Sequence, residues 1–201
     1  MLIMKTIEKK ANFAENLWLS KEQQNVRFEI TNKFLIDNET LIDVGCGTLD
    51  LPKYLINKGK LFNYLGIESN RNLAMKNAQL PFQVIYANII KENIVLPKGD
   101  VVVAWGVTAY FDDYKRTQKY DVLSIFISKL IDMAERLVLF DTWNEDRFYH
   151  KPGIDDAGVS YYQPQKVIDI IHKIDPNIQI IIKLPLDRRD PEADLFILNL
   201  K

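Results

Sequence analysis

Short apolar, β-branched runs punctuate the chain at residues 40–44, 62–68, 82–87, 100–105, 136–141, 178–184 and 194–200. Several are apolar at consecutive positions, the pattern of strands covered on both faces. Most of the gaps between them carry helical spacing. Residues 51–58 follow Asp50 as a predicted N-cap, hold Pro52 in the first turn and end at Gly59. Residues 71–79 follow Asn70, another capping residue. Residues 121–135 set Val122, Leu123, Phe126, Ile127, Leu130, Met133 and Ala134 at the spacing of one buried face. Residues 164–174 repeat it with Val167, Ile168 and Ile171, and Pro176 stops the helix.

This alternation predicts an α/β domain with a mainly parallel sheet and helices on both faces. The last gap, LPLDRRDPEA, is too short for a crossover helix, so the final two strands are predicted to be antiparallel neighbours. Ahead of the first strand, Ser20 and Gln23 form a capping-box pattern before Val26, Ile30 and Phe34. Residues 1–201 are read as one domain, with residues 1–39 as an N-terminal helical lid over the carboxyl edge of the sheet.

Composition narrows the partners. Twenty-six Lys and Arg face 27 Asp and Glu, a net charge of −1, and the two signs are interspersed. That balance gives no electrostatic footprint for nucleic acid or an anionic membrane. The single cysteine, Cys46, excludes an internal disulfide and a cysteine metal cluster. No histidine and carboxylate spacing points to a metal site. The opening MLIMKTIEKKANF has too short an apolar run for a signal peptide, and no stretch has the length of a membrane-spanning helix. A cytoplasmic protein is expected.

The chemistry gathers where the first strand ends, in LIDVGCGTLDLP, residues 41–52. Two glycines one residue apart suit a tight turn and a close backbone approach to a ligand. In open α/β sheets ligands bind outside the carboxyl ends of the strands, where strand order reverses. Glu68, ending the second predicted strand, suits the two hydroxyls of a ribose. Trp105 and Gly106, ending the fourth, suit a wall for a flat ring. A nucleoside ligand follows from the three together. A dinucleotide fingerprint, G-x-G-x-x-G, requires glycine at position 50, where this chain has Asp50. That residue would place negative charge beside two phosphates.

At these residues the chain resembles the class I S-adenosylmethionine-dependent methyltransferases, in their small-molecule branch. Their first motif, D-x-G-x-G-x-G, is met by Asp43, Gly45 and Gly47, with Leu49 in place of the third glycine. The resemblance covers residues 41–200 and implies the Rossmann-like, seven-stranded form of the fold, S-adenosylmethionine as cofactor and methyl transfer as activity. It also implies roles. Asp43 would orient the methionine amino group, and Gly45, Cys46 and Gly47 would line the methionine and ribose. Glu68 would hold the ribose diol, with Ser69 and Asn70 near the adenine. Asn88 would take the adenine amino group, Ile89 would bond the ring through its backbone, and Trp105 and Gly106 would lie under the sulfonium. Leu49 would narrow the space near the methionine portion.

No N-P-P-Y-like run follows the fourth strand, where enzymes acting on base or glutamine nitrogens carry it. The expected substrate is a small molecule with an O or N nucleophile. Its wall is predicted from Trp18 and Arg27 of the lid, from residues 110–114 including Tyr110, and from residues 141–162 including Trp143. His150, in the last stretch, is either a general base or a solvated loop histidine. The alternatives are a cofactor-binding scaffold without catalysis and, disfavoured by Asp50, a nicotinamide-dependent oxidoreductase.

Overall fold

A computed structural model describes residues 20–92, 94–95, 97–110, 118–147, 160–187 and 193–200. The chain begins with α1 (Lys21–Phe34) and then alternates β1 (Thr40–Val44), α2 (Asp50–Asn57), β2 (Asn63–Glu68), α3 (Arg71–Asn77) and β3 (Gln83–Tyr86). It continues through β4 (Gly99–Ala104), a 3-10 turn (Thr108–Tyr110), α4 (Lys119–Met133) and β5 (Ala134–Trp143). It closes with α5 (Pro164–Ile174), β6 (Gln179–Lys183) and β7 (Ala193–Asn199). All seven strand signals of the sequence correspond to strands of one sheet.

The sheet order is β3-β2-β1-β4-β5-β7-β6. The first five strands are parallel, and β7 runs antiparallel between β5 and β6. Strand order reverses between β1 and β4, so the crevice at that switch point faces the carboxyl ends of both.

Alternation along each strand builds two apolar layers. Ile42 and Val44 of β1, Val102 and Ala104 of β4, and Val138 and Phe140 of β5 join α4 through Leu123, Phe126, Ile127 and Leu130, and α5 through Val167 and Ile171. Leu41, Val101, Val103, Leu137 and Leu139 face the other way, under Val26 and Phe28 of α1 and Leu51 and Leu55 of α2. Of the segment 1–39 expected as a lid, residues 1–19 lie outside the described residues; α1 forms a layer on one face, and its Gln24, Arg27 and Thr31 reach residues at the carboxyl edge.

Local signals explain the helix ends. Ser20 Oγ accepts from the Gln23 N–H at 3.1 Å, the predicted cap of α1. Asn70 caps α3 by accepting from the N–H groups of Asn72 and Leu73. At α2 the expectation fails. Asp50 is already in the first turn, and the residue before it, Leu49, is in the left-handed region at φ 61°. Leu49 takes the backbone a glycine would take, at roughly 1 kcal/mol or more of strain. Its side chain is wholly buried, so it packs inward and does not face an open space. Residues 134 and 135, predicted as helix, instead open β5.

Candidate active site

The glycine turn is fixed from below by β2. The N–H groups of Gly45 and Cys46 both donate to the Ile67 carbonyl, at 2.8 and 3.2 Å. Gly45 has φ 74°, and a Cβ built there would lie 2.5 Å from Val107 Cγ2 of the strap after β4. Only glycine satisfies both the backbone and that contact. Gly47 also has positive φ, at 52°.

Glu68 ties the turn to the next helix. Its Oε2 accepts from the Gly47 N–H at 2.9 Å, and its Oε1 accepts from the Asn70 N–H at 2.7 Å. Asn77 of α3 donates its amide to the Gly47 carbonyl at 2.6 Å. Each Glu68 oxygen retains a lone pair for a further donor. Ser69 and Asn70 beside it are exposed.

Asp43 lies behind the turn, 4% exposed. The Tyr64 hydroxyl donates to its Oδ2 at 2.9 Å. Burial pushes the Asp43 carboxyl up to about 7; the Tyr64 bond opposes that rise and the nearby Glu68 charge adds to it. Cys46 is buried too, and its thiol is pushed up by burial and then by the Asp43 and Glu68 charges. Among the described residues neither Asp43 nor Glu68 has a cationic side chain as partner.

The β4 side of the crevice differs. Trp105, expected to line the ligand, is 6% exposed and its ring lies in the layer beneath α1. Its indole N–H donates to Thr31 Oγ1 at 2.9 Å. Only its backbone and Gly106, at φ 71°, reach the edge. Gly106 N–H donates to Asp141 Oδ1 at 2.7 Å, and Thr108 Oγ1 donates to the Asp141 carbonyl at 2.9 Å. Arg27, expected on the substrate wall, is 1% exposed and forms a buried ion pair with Asp141. Its Nε and Nη2 both donate to Asp141 Oδ2, and its Nη1 donates to the Gln23 carbonyl. Arg27 therefore braces the strap through Asp141.

The remaining expectations divide. Asn88 uses its amide oxygen to accept from the N–H groups of Ile90 and Lys91, both at 3.1 Å, which closes a turn. The Ile89 side chain is in the core. Trp143 is half-buried at the end of β5 with its ring 5.6 Å from Tyr161. Tyr110 ends the 3-10 turn, and its side chain, like Trp18 and His150, lies outside the described residues. Sequence reasoning missed Tyr64 and Val107, and it missed the bracing role of Asp141. Tyr64 had a signal, since it shares a face of β2 with Glu68. Asp141, a charge ending the apolar run RLVLF, had one as well.

No protein-family model matches the chain, and no curated protein does. Solved structures do. The magnesium protoporphyrin IX methyltransferase of Synechocystis PCC 6803, determined with bound S-adenosylmethionine, superposes with a TM-score of 0.62 at 13% identity, over 90% of this chain and 80% of that one. An S-adenosylmethionine-dependent methyltransferase of Clostridium acetobutylicum ATCC 824 gives 0.61 at 12% identity, over 100% and 99%. The chain has the class I methyltransferase fold. A bacterial Hen1 methyltransferase domain shares that methyltransferase fold as well, with a TM-score of 0.64 at 10% identity, over 89% of this chain and 100% of its own. Among the described residues no group of three or more His, Cys, Asp or Glu is placed to hold a metal ion, and no helix is long and apolar enough to cross a membrane.

Proposed function

We propose that the protein is an S-adenosylmethionine-dependent methyltransferase acting on an O or N atom of a small molecule. The carrying observation is electrostatic. Two buried carboxylates, Asp43 and Glu68, flank the glycine turn with no cationic partner among the described residues. Such a site suits a ligand bearing an ammonium and a sulfonium, and disfavours the pyrophosphate of a dinucleotide. The neighbours crystallised with S-adenosylmethionine and S-adenosylhomocysteine support the same choice.

In this reading Asp43 holds the methionine amino group and the Glu68 lone pairs accept the ribose hydroxyls. Gly45, Cys46 and Gly47 line the chain between them through backbone atoms, with Ser69 and Asn70 beside the adenine. Asn88 and Ile89 border the adenine by their backbone, because the Asn88 amide oxygen already closes its own turn. Gly106 and the Trp105 backbone border the sulfonium end. The cofactor supplies a methyl group already activated by its sulfonium. The protein's task is then to orient the acceptor in line and exclude water. Tyr110, Trp143 and Trp18 are assigned to the acceptor's wall and His150 to proton removal from it.

Calorimetry with S-adenosylmethionine, S-adenosylhomocysteine, NAD and NADP tests the ligand class. Binding of the first two alone is expected, and tight nicotinamide binding with silence toward the thioethers overturns the reading. A chain in an RNA repair complex is also among the similar structures, so labelled-methyl transfer to RNA belongs beside a small-molecule panel. The net charge of −1 favours the panel.

A further inference from the structure

We propose that Tyr64 is a positioning residue for the cofactor's amino end, donating its hydroxyl to Asp43 so that the buried carboxyl is favoured in its charged form and held in one orientation. The proposal rests on the methyltransferase reading above and adds a residue to it.

The geometry is specific. Asp43 pairs with Gly66 across β1 and β2, and with Val103 of β4 on its other side. A Cβ at Gly66 would lie 2.8 Å from Cys46 Sγ and 3.2 Å from the Tyr64 hydroxyl. The missing side chain therefore makes the space in which that hydroxyl reaches its neighbour on β1. The Tyr64 ring is held between two others, in edge contact with Phe62 at 6.4 Å and with Phe82 at 5.4 Å. An aromatic side chain has only two torsions, so a ring fixed on both sides fixes its hydroxyl.

The surroundings leave Asp43 dependent on that bond. From β2 it faces Tyr64 and the Glu68 carboxylate, and from the turn the Cys46 thiol. From β4 it meets an apolar residue, Val103. On the same face α2 brings Leu51 and Leu55, and its own carboxylate, Asp50, accepts from the Gln24 amide. From α1, Arg27 is committed to Asp141. Among the described residues no cation offsets the burial, so a neutral donor is the group that favours the charged form. Burial, then the Asp43 charge and the Cys46 thiol, push the Tyr64 phenol itself well above its ordinary value, so it remains a donor across the accessible pH range.

The test uses the full chain and two readings across pH 5 to 9. One is the carboxyl-carbon NMR titration of Asp43 in ligand-free protein. The other is S-adenosylhomocysteine affinity by calorimetry. Tyr64→Phe keeps the ring and removes the donor. The Asp43 midpoint is expected to rise by about one pH unit, with affinity at pH 7 falling roughly tenfold and recovering toward pH 9. An unchanged midpoint overturns the proposal, as does an equal loss of affinity at every pH, which marks a purely structural role. If Tyr64→Phe does not fold, fluorotyrosine at position 64 replaces it. The stronger donor should lower the midpoint, and no movement overturns the proposal. If the natural protein does not bind S-adenosylhomocysteine, the methyltransferase reading fails, and the NMR midpoint still decides what Tyr64 does to Asp43.

Discussion

The two sides of the crevice treat buried carboxylates in opposite ways. On the β5 side, Asp141 meets a guanidinium and the Gly106 N–H, so its charge is matched within the protein. On the β1–β2 side, Asp43 and Glu68 meet a phenol and two backbone N–H groups, and no cation among the described residues. The first arrangement is a brace. The second, in the proposed function, is the site that receives the positively charged ligand. The contrast shows that a buried acid near an active edge is not by its burial a ligand-binding residue; whether its countercharge is already present decides.

Breaking the brace should have the largest effect. Arg27→Ala leaves Asp141 buried without its partner and should cost about 3–5 kcal/mol by urea unfolding. Replacing both by apolar residues, Arg27→Met with Asp141→Leu, should recover much of that loss. A single change costing under 1 kcal/mol would mean that the pair is solvated and that the contrast fails.

Glu68→Ala should weaken S-adenosylhomocysteine binding by about 2–3 kcal/mol, roughly 30- to 150-fold by calorimetry. Placed at a strand end, a carboxylate contributes little to the core, so the sequence by itself suggests unchanged melting. The bonds to Gly47 and Asn70 revise that, and ligand-free stability should also fall by about 1–2 kcal/mol. Glu68→Gln keeps one acceptor oxygen and should lie between.

Asp43→Asn should separate stability from binding. A folded value of about 7 against 3.8 means that the folded protein holds a proton which the unfolded chain has released between these values. Stability from this group therefore falls as pH rises from about 4 to 7 and stays low above. Asparagine removes the cost of the buried charge. Melting at pH 8 should rise by the equivalent of about 2 kcal/mol, with no gain at pH 4, while S-adenosylhomocysteine affinity falls at least tenfold. A variant no more stable at pH 8 would show that the buried charge carries no such penalty.

The smallest effect distinguishes side chain from backbone at Asn70. Asn70→Ala removes the α3 cap, costing about 1 kcal/mol in thermal unfolding. The Asn70 N–H that Glu68 accepts is retained, so affinity should change by less than about threefold. A loss as large as that of Glu68→Ala would put the Asn70 side chain in the site.

Much of this protein was set by local pattern. Runs of β-branched residues fixed the strands, the short gap LPLDRRDPEA fixed the antiparallel ending, and Ser20 and Asn70 fixed two helix starts, because each depends on neighbours within a few positions. Asp43, Gly45, Gly47 and Glu68 were legible for the same reason: they sit at strand ends, where the direction of the chain brings them to one edge. The roles of Arg27, Trp105 and Tyr64 were decided only when the layers closed. Arg27 and Asp141 lie 114 positions apart, and Tyr64 reaches Asp43 across 21. Exposure and partner at such positions depend on which faces meet in space. Leu49 makes the same point at a single residue. The motif calls for glycine there because the backbone is left-handed, and the core accepts leucine because it buries the side chain.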